Sequence, residues 1–213
     1  MKKALMVWGG WDGHQPKQCT DVFAPVLEAE GFEVAISETM DAYKDADLMG
    51  ELSLVVPCWT MGEIEGEQAK GLMDAVQGGV GLAGWHGGMG DSFRNHCGYQ
   101  FMVGGQFVGH PDGIKDYVVD IAGEDAITQG LGSFKMHSEQ YYMHVDPGNE
   151  VLATTILDTQ SAPWVNGTVM PVVWKRHFGE GKVFYSSLGH VASDFEVEEA
   201  REMQKRGMVW ASR

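Results

Sequence analysis

The sequence predicts an α/β fold: a mostly parallel sheet with helices on both faces and an antiparallel hairpin towards the C-terminus. Three observations predict it. Lys2 to Val7, Leu52 to Val56 and Val80 to Trp85 are near-continuous apolar runs, the pattern of strands buried on both faces. Segments with apolar residues at helical spacing alternate with them, which is the order of a parallel sheet crossed by helices. Finally, Met170 to His177 and Lys182 to Ser186 flank Phe178-Gly-Glu-Gly181, two strand-like runs joined by a four-residue turn.

Taken in order, Lys2 to Val7 is the first strand. Trp8-Gly-Gly-Trp-Asp-Gly-His-Gln-Pro16 follows as a glycine-rich loop that carries Asp12 and His14 beyond the strand's carboxyl end. A helix is expected over Gln18 to Glu30, with Val22, Phe23, Val26 and Leu27 on one face and Gly31 as its stop. Pro25 must kink it or fall in its first turn. Glu33 to Ser37 is a second strand, Asp41 to Met49 a short helix, and Leu52 to Val56 a third strand ending in Pro57-Cys58-Trp59. Glu63 to Gln77 is the best helix, because Ala69, Leu72, Met73 and Val76 repeat at helical spacing and Gly78-Gly79 ends it. The strand Val80 to Trp85 comes next. Periodicity then fades, and the glycine-rich Met89 to Asp112 reads as a site-forming insertion rather than a packed element. Lys115 to Ile121 and Val151 to Ile156 are strands, His137 to Val145 is aromatic and polar, and Glu196 to Trp210 is a closing helix with Val197, Ala200, Met203 and Gly207 on one face.

Composition bounds the function. At 213 residues, 44% hydrophobic and 21% charged, the chain fits a single domain over 1–213 with room for a sizeable core. A formal charge of −15 argues against nucleic acid, whose phosphates demand clustered Lys and Arg, and makes a neutral ligand the easier partner. The N-terminal apolar run is shorter than the ~7–15 residues a secretory signal needs. No stretch approaches the ~20 apolar residues of a membrane span, so a cytoplasmic location away from the membrane is expected. Cys19, Cys58 and Cys97 show no C-x-x-C spacing and suggest neither a disulfide framework nor a thiolate metal site. Thirteen methionines and seven tryptophans leave room for an apolar interface, and a homo-oligomer is the preferred expectation.

Gly84-Trp-His-Gly-Gly88 organises the chain. A strand running into a sharp glycine turn with one reactive side chain at its apex describes a nucleophile elbow, in which small neighbours give the strained apex residue clearance. Here His86 stands where Ser or Cys would stand.

With Trp8-Gly-Gly-Trp, Gly84-Trp-His-Gly-Gly88, Gly104-Gly-Gln-Phe-Val-Gly-His-Pro111, Ser138-Glu-Gln-Tyr-Tyr142 and Phe184-Tyr-Ser-Ser-Leu-Gly-His190 in one order, nearly the whole chain resembles the ThuA-like, trehalose-utilisation family. The resemblance implies a flavodoxin-like sheet similar to class I glutamine amidotransferases. Their elbow Cys corresponds to His86, and their catalytic His, after a late strand, to His190. Without a thiolate at the elbow no thioester forms, so the chain is not expected to be a glutaminase. The resemblance also implies a role in disaccharide utilisation, with a neutral sugar or 3-keto sugar as substrate and an oxidoreductase of the same pathway as a partner.

In an open parallel sheet, ligands bind at the carboxyl ends of strands, and His14, His86, His110, His144 and His190 all adjoin expected strand ends or glycine loops. His86 and Glu139 are the expected acid/base pair, with Glu139 placed in an aromatic stretch that would raise its pKa, and His190 is the polarising or orienting partner. Trp11, Asp12, His14, Trp59, Trp85, Gln106, His110, Tyr141 and His144 are expected to contact substrate, the aromatic rings by stacking on sugar C–H faces. No cofactor is demanded by the sequence. His86, Glu139, His144 and His190 are nonetheless ligand types for Zn²⁺ or another divalent ion, although H-x-x-x-H and H-E-x-x-H spacings are absent. Elimination, isomerisation and hydrolysis of a keto-disaccharide or related glycoside all stay open. So do a metal-dependent hydrolase and a non-catalytic sugar-binding or dehydrogenase-partner protein.

Overall fold

The computed structural model describes residues 1–213. Its strands are β1 (Lys2–Gly10), β2 (Phe32–Ser37), β3 (Leu54–Thr60), β4 (Gly81–Trp85), β5 (Gly105–Gly109), β6 (Ile114–Ile121), β7 (Phe134–Glu139), β8 (Tyr142–Val145), β9 (Glu150–Ile156), β10 (Val169–Phe178) and β11 (Gly181–Ser186). Its helices are α1 (Pro16–Ala29), α2 (Ala46–Glu51), α3 (Gly66–Gln77), α4 (His86–Gly90), α5 (Cys97–Val103) and α6 (Glu198–Ala211). Nine strands form one sheet in the order β2-β1-β3-β4-β11-β10-β9-β6-β7, and β5 pairs with β8 in a separate ribbon. From β2 to β11 all neighbours run parallel. Beyond β11 the neighbours alternate in direction. Only β10 and β6 therefore oppose the rest, and the sheet is mixed but mostly parallel.

The apolar strands have helices on both faces because each face must be covered. Phe23 and Leu27 of α1 and Ala200, Met203 and Met208 of α6 pack on one face with Met6, Val56, Ala83 and Phe184. Leu72 and Val76 of α3, with Met89 and Tyr99, pack on the other with Leu5, Val7, Val55 and Leu82. β1 joins β2 on one side and β3 on the other, so the order of the sheet reverses beside the carboxyl end of β1, where an open α/β sheet has its crevice.

Local chemistry sets the element boundaries. Pro16 opens α1, where its missing N–H is no loss, and Pro25 lies inside the helix rather than in its first turn. Asp45 Oδ1 caps α2 by accepting from Leu48 N–H at 3.0 Å, and the segment expected as one helix from Asp41 divides into a 3₁₀ turn, Met40–Lys44, and α2. The Glu65 N–H donates to Gln68 Oε1 at 2.9 Å, which moves the start of α3 beyond the expected Glu63.

Two expectations need correction. The hairpin turn is tighter than four residues: Phe178 and Gly181 already pair, with Gly179 at φ +60° between them. The segment Met89 to Asp112 is not an unpacked insertion, since it contains parts of α4, all of α5 and β5, and buries Met89, Phe93, Tyr99, Met102 and Val103. Its core residues are spread over two short helices and the segment between them, too brief for helical periodicity to register.

Trp85, expected beside the ligand, is instead a core ring, 2% exposed and packed 4.9 Å from Phe23 and 5.7 Å from Phe195. Alternation along β4 turns its side chain to the α1 and α6 face. Trp85→Ala should lower the free energy of unfolding by about 3–5 kcal/mol, the usual loss for a buried large ring. Urea titration measures it, and a change below ~1 kcal/mol would place the ring outside the core.

Candidate functional site

Three buried polar side chains and one partly buried one meet at the carboxyl edge of the sheet. His14 follows β1 in the 3₁₀ turn Asp12–His14, His86 follows β4, and His190 follows β11. Glu139 is the last residue of β7, which reaches back over this edge from the far side of the sheet. Glu139 Oε2 lies 3.1 Å from His86 Nε2, 3.3 Å from His190 Nδ1 and 3.8 Å from His14 Nε2. Its other oxygen, Oε1, faces His110 Nε2 at 3.7 Å. One carboxylate thus holds four imidazoles around it, three of them crowded on one oxygen.

Hydrogen bonds on the outer side aim two of these rings. His86 Nδ1 donates to the Ser187 carbonyl at 2.7 Å, which leaves Nε2 to face the carboxylate. His14 Nδ1 pairs with Thr60 Oγ1 at 2.8 Å, and its Nε2 turns inward likewise. Burial lowers the pKa of His86 to about 4, against the opposing pull of Glu139. The expected rise of the Glu139 pKa is reversed: burial alone would raise the carboxyl, but the imidazoles of His14, His190 and His86 outweigh it and hold the group well below the usual carboxylate range. The Glu139 carboxylate in turn raises His190, against burial.

Each member is braced. His86 takes the left-handed conformation, φ +43°, which a non-glycine residue adopts only when its surroundings compensate for about 1–2 kcal/mol of strain. Its carbonyl accepts from Tyr185 Oη at 3.0 Å, and Tyr141 stacks on its ring at 3.9 Å. Two glycines of the elbow are needed for close approach. A Cβ on Gly87 would stand 2.4 Å from His14 Cε1, and one on Gly88 would press on Cys58 Cα at 3.0 Å. The stretch Ser138-Glu-Gln140 is tied on all sides. Ser138 Oγ donates to Asp194 Oδ2 at 2.5 Å, Tyr117 Oη donates to the Glu139 carbonyl at 3.2 Å, and Gln140 Nε2 donates to Thr155 Oγ1 at 2.7 Å. Asp194 also accepts from the His190 N–H at 2.9 Å, so one carboxylate joins the strand of Glu139 to the loop of His190.

The other expected residues divide into rim, support and bystanders. Trp11 is 48% exposed and stands edge-on to His14, and half-exposed His110 marks the outer side of Glu139. Tyr141 is buried behind His86 and packs on Phe107, which lies under the Arg94 guanidinium. Trp59 is half-buried with its ring against Gly9 and Gly62. Asp12 sits exposed in the turn that carries His14. Gln106 and His144 pair across the β5–β8 ribbon. His144 is exposed and outside the cluster, because alternation along β8 points it away from the face on which Met143 is buried. As a metal-ligand candidate it is replaced by His14: one ligand atom from each of His14, His86, Glu139 and His190 lies within 4.8 Å of the others. A cavity of about 520 Å³ beside α2 and α3, lined by Lys44, Met49 and Arg213 among others, contains none of the four.

Thr60, Ser187, Tyr185 and Asp194 escaped the sequence reading. Asp194 alone left a trace there, as an acidic residue four positions after His190 where it can accept a loop N–H.

A family model described as "ThuA: Trehalose utilisation" matches residues 3–211. Among solved structures, a ThuA-like protein from Bacteroides uniformis is 18% identical with a TM-score of 0.81, over 99% of this chain and 91% of that one. A ThuA-like protein from Parabacteroides merdae is 18% identical with a TM-score of 0.78, over 99% and 89%. A β-galactosidase from Rahnella sp. R3 is 19% identical with a TM-score of 0.62, over 95% of this chain but 31% of the enzyme. At these identities the structural likeness is one of fold. No curated protein matches. No helix is long and apolar enough to cross a membrane.

Two outcomes test the geometry. In metal-free protein the His86 ring should stay neutral down to about pH 4, so its NMR signals should not titrate between pH 5 and 8. A midpoint near 6.5 would contradict its burial. Gly87→Ala should displace His14 while leaving the sheet intact, seen as a shifted His14 ring signal with unchanged far-ultraviolet circular dichroism.

Proposed function

The chain belongs to the ThuA, trehalose-utilisation family, and we propose that it is an enzyme acting on a neutral keto-disaccharide or related glycoside at the Glu139 cluster. The observation that carries this reading is the convergence of His14, His86, His190 and His110 on one buried carboxylate. Such an arrangement, at the edge where open α/β sheets bind ligands, concentrates proton-transfer groups at a single point.

A ketone on the sugar ring acidifies the C–H beside it. Positive charge held at the cluster would polarise the ketone oxygen, a base would take the neighbouring proton, and the glycosidic C–O bond would break as the ring gains a C=C bond. The departing oxygen takes a proton from an acid, so the step balances without a further reactant. Exposure argues for a division of roles. His86 is 1% exposed, behind Glu139 and Tyr141, and so acts on its neighbours rather than on a sugar. Glu139 and His190 face the centre, and half-exposed His110 is the imidazole best placed to exchange a proton with substrate. Trp11 at the rim offers a ring face to sugar C–H groups. The net charge of −15 favours a neutral substrate over a phosphorylated one.

The test is incubation of the purified protein with 3-keto-trehalose, following glucose release by chromatography. The wild type should turn the sugar over, Glu139→Gln should lose it by at least ~10³-fold, and His110→Gln should lower kcat by about 10²-fold with a smaller change in KM. Binding of the keto sugar without turnover by the wild type would favour a sugar-binding protein instead.

A further inference from the structure

We propose that His14 Nε2, His86 Nε2, His190 Nδ1 and Glu139 Oε2 together ligate one divalent first-row transition-metal ion. The inference rests on the proposed function only for what the ion would do; its binding is argued from the geometry alone.

The first argument is electronic. The Ser187 carbonyl can only accept, so the proton of a neutral His86 sits on Nδ1 and the lone pair of Nε2 is aimed at an anionic oxygen 3.1 Å away. Two electron-rich atoms at that separation, both buried, call for a cation between them. A proton on Nε2 would serve this pair, but it would leave the other two nitrogens still facing the same oxygen. His190 Nδ1 is 3.3 Å from Oε2 yet off the line of a hydrogen bond, and it is a buried nitrogen with no other partner. A single ion at the centre serves all three nitrogens at once.

The second argument is geometric. The rings of His14 and His86 are inclined at 73°, those of His14 and His190 at 80°, and those of His86 and His190 at 69°. Three steeply crossed imidazoles bring nitrogens to a point from three directions, as a compact ligand shell needs. With metal–ligand bonds of ~2.1 Å, neighbouring ligand atoms of a tetrahedral or octahedral ion lie about 3.0–3.4 Å apart. The separations from Oε2 are 3.1, 3.3 and 3.8 Å and the four ligand atoms all lie within 4.8 Å of one another, so the shell would contract by up to about 1 Å around a bound ion.

The third argument is the outer shell. Metal-bound imidazoles commonly donate their second N–H to a carbonyl, carboxylate or water, which fixes the tautomer. His86 does this with Ser187, and His14 has Thr60 in the same position. Three nitrogens and one oxygen suit Zn²⁺, Co²⁺, Fe²⁺ or Mn²⁺, in contrast to the all-oxygen shells of Ca²⁺ and Mg²⁺. No thiolate competes. Cys19 and Cys58 are buried and turned towards the carbonyls of His14 and Pro16. An ion here would supply the positive charge that polarises a ketone oxygen, while His110, outside the ligand set, would keep its proton-transfer role.

The purified full chain, stripped with chelator and dialysed, is titrated with Co²⁺ and followed by its visible absorption and by calorimetry. One equivalent should bind. His86→Gln, His190→Gln and Glu139→Gln should each weaken binding by at least ~100-fold, Thr60→Val by about 10-fold or more, and the exposed His144→Gln by less than ~2-fold. Circular dichroism identifies any variant that fails to fold, and Thr60→Val, which removes no ligand, then carries the test. Sub-stoichiometric binding by the wild type, or binding undiminished in Glu139→Gln or in Thr60→Val, overturns the proposal. Stoichiometric Co²⁺ without turnover of a keto sugar would leave the metal site standing and remove the proposed function. Turnover of the keto sugar by a wild type that binds no Co²⁺ in the titration would overturn the metal site and leave the proposed function standing.

Discussion

A carboxylate shut away from water must be matched by positive charge, and everything else at this site follows from how that is done for Glu139. Removing an ionised carboxyl group from water is unfavourable by several kcal/mol unless hydrogen bonds and opposite charge offset it. Three imidazoles crowd one of its oxygens and a fourth stands near the other. Each imidazole is in turn exposed to the carboxylate's charge, which is why His190 is raised while burial drives His86 down. Remove the carboxylate and the imidazoles have no centre; remove an imidazole and a buried anion loses part of its compensation. The cluster therefore stands as a unit, and its members are expected to behave non-additively.

The scaffold assembles that unit by placing strand ends side by side. β1, β4 and β11 lie close together in the sheet, all parallel, and each delivers one histidine just past its carboxyl end. The elbow presents an imidazole in a strained conformation, supported by the Ser187 carbonyl, Tyr185 and Tyr141. Gly87 admits His14 against the turn, so the elbow's sequence reflects the approach of a second histidine as much as its own curvature. Asp194 completes the frame by bonding both Ser138 and the His190 backbone, which couples β7 to the last loop.

Much of this was legible in the residues. The apolar strands, the helices and the C-terminal hairpin announce themselves through periodicity, and the positions of His14, His86 and His190 follow from the rule that loops after parallel strands carry the chemistry. Glu139 was marked by its aromatic neighbours. Harder to read were contacts that depend on how β7 and the β5–β8 ribbon return over the sheet. His144 looked as good as His14 in sequence, and only the alternation of β8 turns it outward. Trp85 looked like a sugar platform but lies on the core side of β4. Ser187 acts through its backbone carbonyl, which no residue identity reveals, and Thr60 and Tyr185 act through single hydroxyls whose reach is set by tertiary packing.

The most direct measurement is anomalous diffraction from crystals grown or soaked with Zn²⁺ or Co²⁺, collected at the absorption edge of the metal. The account predicts a single strong peak among His14 Nε2, His86 Nε2, His190 Nδ1 and Glu139 Oε2, within ~2.0–2.3 Å of each. A cluster with no peak at full exposure to metal, or with the ion held elsewhere, would contradict it and leave the buried carboxylate compensated by protons alone.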